Sequence, residues 1–344
     1  MVSSAFRANL IGALSAAVLL AGCANYGTIM NEDIPDPRVA ERYSLHDWSE
    51  GHSHQDLELI LTFSGGGTRA AALSYGVLQE LRDTKIVMGG SPVRMLDEVD
   101  YISSVSGGSF TSAYYGLHGD GIFENYEQDF LKFDLEKHLL WRALNPFLLF
   151  SREGRTDSAI NYYQKFLFQD ATFADMIRPD RPMIVINSSD LGYGIRFSFV
   201  QEYFDLLCSE LSTYPVAAAV AASSAVPVLF NPVVVENYAT CSDMQLIGTT
   251  RIRERVESLH GQDLPVLLTE LETYADKDKR KYVHFVDGGI TDNLGLRAIS
   301  DIWAVSGGLK GVLQKDGRQT PQNIVVIMVD AATRSIHDMD LSNK

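Results

Sequence analysis

Leu57-Glu58-Leu59-Ile60-Leu61-Thr62-Phe63, followed at once by Ser64-Gly65-Gly66-Gly67-Thr68-Arg69, reads as a near-continuous apolar strand running into a glycine turn. Past the turn, Ala70, Leu73, Val77 and Leu81 recur at the spacing of one helix face. Strand, glycine loop and helix form the unit of a parallel sheet, whose strands are buried on both faces and return through a crossover. The unit recurs at Val99-Asp100-Tyr101-Ile102, the turn at Gly107-Gly108, and a helix from Phe110 to Leu117. Further on, Pro182 to Asn187 and Arg196 to Gln201 read as strands. Val216 to Ala225 reads as a helix of small residues, opened near Pro215 and closed by Pro227. Val283 to Val286 and Ile324 to Val329 complete the strands, with a helix from Asn293 to Ala304 between them. The alternation predicts an α/β fold, a three-layer α/β/α sandwich on a mostly parallel central sheet. Glu236 to Lys281 is a charged, weakly patterned insertion with a helix expected in its middle.

The 344 residues suffice for a full core, and 46% hydrophobic against 21% charged is globular usage. A formal charge of −15, from 29 Lys and Arg against 44 Asp and Glu, argues against a nucleic-acid partner, because phosphate binding needs a basic surface.

The N-terminus stands apart from this domain. Residues 1–22 carry one early cation, Arg7, then an apolar run from Leu10 to Leu20 that is short for a hydrocarbon core of about 30 Å. This is a signal-peptide pattern, and it ends in Leu20-Ala21-Gly22-Cys23, which resembles the lipobox of bacterial lipoproteins. The resemblance implies that Cys23 is acylated and becomes the N-terminus; an uncleaved anchor helix is the alternative. Both place the chain beyond the cytoplasm, in the bacterial cell envelope. An acidic chain is not held on anionic lipid by charge, so attachment falls to the acyl chains, at about 0.8 kcal/mol per buried methylene. Ala24, where an Asp would signal inner-membrane retention in such lipoproteins, implies the outer membrane. Residues 23–55, with Pro35 and Pro37, are expected to form a tether, 56–335 the folded domain and 336–344 a tail. Cys208 and Cys241 can pair in an oxidising compartment or remain two buried thiols.

Ligands of such sheets bind at the carboxyl ends of the strands, so residues just after strands carry the chemistry. Ser106 lies in Ser104-Val105-Ser106-Gly107-Gly108, a variant of the G-x-S-x-G elbow with Ser104 at the first glycine position. Ser103, Ser104 and Ser109 are nearby, and a polar turn without catalysis is the plainer account of the four serines. Gly65, Gly66 and Gly67, with Thr68 and Arg69, offer bare N–H groups at a helix N-terminus, the material of an oxyanion hole. A P-loop would need a Lys and a Ser/Thr after its glycines, and Thr68-Arg69-Ala70 stands there instead. No histidine fits a triad. His118 is twelve residues past Ser106, about 18 Å along a helix. His284 is three residues from Asp287 on one strand, hence on the opposite face, and is expected to be packed. Asp287, in Asp287-Gly288-Gly289, is left as the base, with a pKa expected above that of a free carboxyl because its flank is apolar.

Together these residues resemble the patatin-like phospholipases, acyl hydrolases with a Ser–Asp dyad, over Leu59 to Val329. The glycine loop with Arg69, the elbow Ser106, Asp287-Gly288-Gly289 and the following Asn293 stand in the family's order. Ala222-Ser223-Ser224-Ala225-Val226-Pro227, Asn187 to Leu191, and Gly194 also look like family features. Ser64, Ala70 and Ser104 depart from the plant-type pattern and are similar to the cytosolic phospholipase relatives. The resemblance implies ester hydrolysis of phospholipids or lysophospholipids, without cofactor or metal, with membrane phospholipids as both substrate and anchor surface. An acyltransferase using the same dyad, or a non-catalytic lipid-binding scaffold, is the alternative. Phe130 to Phe150, rich in Leu and Phe, is either a lid that meets lipid or a buried helix pair. There is no H-E-x-x-H, paired C-x-x-C or EF-hand spacing.

Overall fold

A computed structural model describes residues 27–34, 42–45, 47–48, 57–132, 154–241, 266–305 and 323–332. The signal peptide, Cys23, the apolar stretch 133–150, the middle of the charged insertion and the tail 336–344 lie outside the described residues.

Seven strands form one sheet: β1 (Leu57–Phe63), β2 (Val99–Val105), β3 (Met183–Asp190), β4 (Ile195–Phe199), β5 (Val233–Glu236), β6 (Tyr282–Val286) and β7 (Asn323–Val329). The main helices are α1 (Gly67–Asp83), α2 (Gly107–His118), α3 (Arg155–Phe166), α4 (Val216–Ser223) and α5 (Leu296–Val305). The sheet order is β7-β1-β2-β3-β6-β5, with β4 also beside β3. β7, β1, β2 and β3 are mutually parallel, as the apolar runs predict, with helices around them. Three further pairings, β3 with β4, β3 with β6 and β6 with β5, are antiparallel, so the sheet is mixed.

The register of β3 positions the site. β2 pairs along β3 up to Val105 opposite Asn187. β4 pairs with Ile186 to Asp190, overlapping β2 and therefore on the other edge. β6 pairs with Ser189 and Asp190, where that other edge is already occupied, so it must continue the edge that β2 leaves. Thus β2 and β6 run towards each other along one edge, and Ser106 and Asp287 are the next residues of the two strands.

Burial explains the elements. Leu59 to Phe63 and all of β3 are buried, matching strands covered on both faces. α4, Val-Ala-Ala-Ala-Val-Ala-Ala-Ser, is buried at every position, and its small side chains let the helix approach the sheet closely. Aromatic rings fill the space beside β4, with Phe197 and Phe285 centroids 4.5 Å apart and Phe199 and Tyr214 stacked at 5.8 Å.

Part of the stretch expected to be a tether is docked on the domain. Glu32–Asp33 pairs antiparallel with Ser209–Glu210, and Ile34 is buried. Tyr43, also buried, accepts the Ile184 N–H at 2.8 Å and donates to the Ile184 carbonyl at 3.0 Å. One phenol thereby satisfies both polar groups on the edge of β3 that β4 does not reach. Cys208 and Cys241 form a disulfide with Cα atoms 5.3 Å apart, packed against Ile34 and Tyr238. Replacing both cysteines with serine removes a cross-link between positions 33 apart in sequence. It is expected to lower unfolding free energy by roughly 2–4 kcal/mol, read as a lower denaturant midpoint, with an m-value that rises because the unfolded chain expands.

Candidate active site

Ser106 follows β2 directly and takes φ 50° and ψ −119°, a region that non-glycine residues seldom adopt. The turn is tight because the two residues that follow, Gly107 and Gly108, lack side chains. A Cβ on Gly107 would lie 2.1 Å from the Gly67 carbonyl oxygen, and one on Gly108 2.7 Å from Phe63 Cβ. The elbow and the glycine loop are therefore in main-chain contact. Ser106 Oγ donates to Asp287 Oδ2 at 2.9 Å, while Asp287 Oδ1 accepts the Gly289 N–H at 2.7 Å. Burial pushes the Asp287 carboxyl above its ordinary value, and the Gly289 and Ser106 donors pull it back only in part.

Around this pair the loops are fixed by main-chain bonds. Ser64 N–H donates to the Val329 carbonyl at 3.0 Å and its Oγ accepts the Ala331 N–H at 2.9 Å, tying the glycine loop to the end of β7. Gly65 N–H donates to the Asn293 carbonyl at 2.9 Å. That corrects the expectation for Gly65: its N–H is already committed, and the residue is buried. Gly66 and Gly67 are exposed, at φ 140° and 63°, where α1 begins and helical N–H groups lack intrahelical partners. Thr68 is half-buried in the first turn, and exposed Arg69 brings its guanidinium within 3.5 Å of where a Gly66 Cβ would stand. The Asn293 carboxamide faces the same space: a Cβ on Gly65 would meet Asn293 Oδ1 at 2.5 Å and Ser106 Cβ at 3.3 Å.

The other serines have separate employment. Ser103 Oγ donates to the Gly295 carbonyl at 2.6 Å, Ser112 Oγ to Ser104 Oγ at 2.7 Å, and Ser109 Oγ lies 3.0 Å from Ser223 Oγ. Only Ser106 among them meets the acid. Below the elbow, Asn187 Nδ2 donates to Ser103 Oγ and to the Ser104 carbonyl, and Asn187 Oδ1 accepts from Arg196, which also pairs with Asp301 at 3.0 Å. Ser223, read from the sequence only as part of a family-like segment, bonds to the elbow as well: Ser106 N–H donates to its Oγ at 2.8 Å. The signal for it was a polar residue closing an otherwise apolar helix. His284, expected to be packed, is exposed; Val283 and Phe285 take the core face of β6 and leave His284 with Tyr282 outside. His118 ends α2 against Tyr114, with ring centroids 4.4 Å apart.

A serine on a strained strand-to-helix turn, an aspartate within hydrogen-bond reach and free amides at the carboxyl edge of an α/β sheet make a layout suited to acyl transfer through a nucleophilic serine. A family model for patatin-like phospholipases matches residues 61–299, and the chain belongs to that family of lipid acyl hydrolases. Comparison with curated proteins finds no match.

Gly107→Ala forces a methyl onto the Gly67 carbonyl. It is expected to cost about 1–3 kcal/mol of stability and to lower kcat by at least about 10²-fold, measured by thermal melts and ester turnover. For Asp287 the raised pKa means that the folded chain favours the neutral acid, so this group's contribution to stability falls as pH rises from the unfolded value of 3.8 through the folded one. Asp287→Asn is therefore expected to melt higher than the parent at pH 7, with the gain vanishing below the carboxylate range, and to lose about 10²- to 10⁴-fold in turnover. The acid limb of the parent's pH–rate profile is expected above pH 3.8.

Proposed function

We propose that the protein is a membrane-anchored serine acyl hydrolase cleaving fatty-acyl esters of phospholipids or lysophospholipids. The observation that carries this reading is the 2.9 Å hydrogen bond from Ser106 Oγ to Asp287 Oδ2 beside the exposed Gly66 and Gly67. Ser106 Oγ attacks the ester carbonyl while its proton passes to Asp287. The negative charge on the carbonyl oxygen is met by the N–H groups of Gly66 and Gly67, reinforced by the positive end of α1. Asp287 then returns the proton to the departing alcohol, leaving an acyl group on Ser106. Water, deprotonated by Asp287, attacks that ester, and the proton ends on Ser106 as the fatty acid leaves. A base with a raised pKa is the better acceptor in this sequence, since an ordinary carboxylate is a weak base at neutral pH.

The family's action on lipids supports a glycerophospholipid substrate, the Leu20-Ala21-Gly22-Cys23 sequence supports anchoring through Cys23, and Ala24 in place of Asp supports the outer membrane. Purified protein, Ser106→Ala and Asp287→Ala are compared on vesicles of acyl-labelled phosphatidylethanolamine. The parent is expected to release free fatty acid and both variants to fall by about 10³-fold or more. Equal release from all three overturns the dyad, and label transferred to a second lipid in place of free acid identifies an acyltransferase. Cys23→Ser is expected to move the protein from the membrane fraction to the soluble one.

A further inference from the structure

Ser223 is fully buried at the last position of α4 and touches three segments at once. A serine hydroxyl has one proton to give and two acceptor sites, and all three are engaged here. Ser223 Oγ donates to the Asn187 carbonyl at 2.6 Å and accepts the Ser106 N–H at 2.8 Å. With its proton committed to Asn187, it takes its second bond from the Ser109 hydroxyl at 3.0 Å. The main chain of the same residue serves the acid. Ser223 C=O accepts the Gly288 N–H at 3.0 Å, and two residues on, Ala225 C=O accepts the Asp287 N–H at 3.0 Å. The last carbonyls of a helix need donors, and the acid loop supplies them. The Asn187 carbonyl is also what excludes a side chain at Gly288, where a Cβ would lie 2.4 Å from it. Nucleophile loop, acid loop and β3 therefore converge on one residue.

We propose, resting on the Ser106–Asp287 reading above, that Ser223 is a positioning residue that holds the two halves of the dyad in register. Its hydroxyl fixes the main chain at Ser106 and its carbonyl the main chain beside Asp287. The bond to the Ser106 N–H falls on a residue held at an unfavourable φ of 50°, so it opposes relaxation of the elbow. Only a hydroxyl can accept two bonds and give one in this volume; an alanine leaves the Ser106 N–H and the Asn187 carbonyl buried without it.

Substitution removes the hydroxyl and keeps the carbonyl, which makes the proposal testable. The parent, Ser223→Ala and Ser223→Thr are compared on a soluble short-chain ester, each normalised to the fraction of sites that react with a fluorophosphonate. Ser223→Ala is expected to lower kcat by about 10- to 100-fold with KM within about twofold, and to slow phosphonylation by the same factor. The acid limb of its pH profile is expected to stay in place, since Asp287 keeps its partners. Ser223→Thr keeps the hydroxyl and adds a methyl to an enclosed site. It is expected to melt lower than Ser223→Ala yet turn over faster. Opposite orders in Tm and kcat support positioning. A Ser223→Ala kcat within about twofold of the parent overturns the proposal, as does a kcat order that follows Tm. A failed dyad looks different: the parent does not react with the fluorophosphonate, and the proposal falls with the reading it rests on.

Discussion

Two strands cannot pair with the same residues on one edge of a third, and the site depends on that constraint. β2 leaves β3 at Asn187 and β6 begins at Ser189, so the chain must end both strands within a residue of the same point. Both turn away there, one into α2 and one into the short helix Gly289–Asp292. The side chains at those turns, Ser106 and Asp287, are brought within hydrogen-bond distance by backbone pairing across 181 positions of sequence. The antiparallel entry of β6 is thus a requirement: a parallel strand would present its carboxyl end at the far side of the register.

Close approach is the second condition. Gly107 against Gly67 and Gly288 against Asn187 are contacts between main chains with no room for a carbon between them. Each brings together main chains that a side chain would have kept apart. The cost is a buried polar layer under the elbow, and it is satisfied by small hydroxyls and one carboxamide: Ser103, Ser109, Ser112, Ser223 and Asn187. Arg196 reaches this layer from β4 through Asn187 Oδ1, and each Ser adds a donor at almost the volume of Ala.

The parallel half of the sheet was legible because β1, β2, β3 and β7 are apolar runs ended by glycine or polar turns. Ser106, Asp287 and the glycine loop were legible for the same reason, each standing directly after such a run. Direction was not, since the pattern of β6 is the same read towards or away from β3. β5 was missed because Val-Val-Val-Glu is four residues at the border of a charged insertion. The sequence shows three glycines in a row without showing that the Gly65 N–H is taken by Asn293, a bond between loops 228 positions apart. His284 was misplaced because its apolar neighbours suggest a core strand, while period-two alternation assigns them and His284 to opposite faces. Polar composition likewise hid the docking of Glu32–Asp33 and Tyr43, which depends on partners far along the chain.

On the proposed lipidation of Cys23, that docking limits how far the domain can stray from the membrane. The chain already lies against the domain at Gly27, beside Val234, four positions after Cys23, and an extended chain gains at most about 3.5 Å per residue. The leash is then at most about 14 Å, about half the thickness of one bilayer core, in place of the longer span that a free segment up to Gln55 would allow. On that proposal, a catalyst on so short a lead would work on the sheet of lipid it stands on, at a local concentration set by its own attachment.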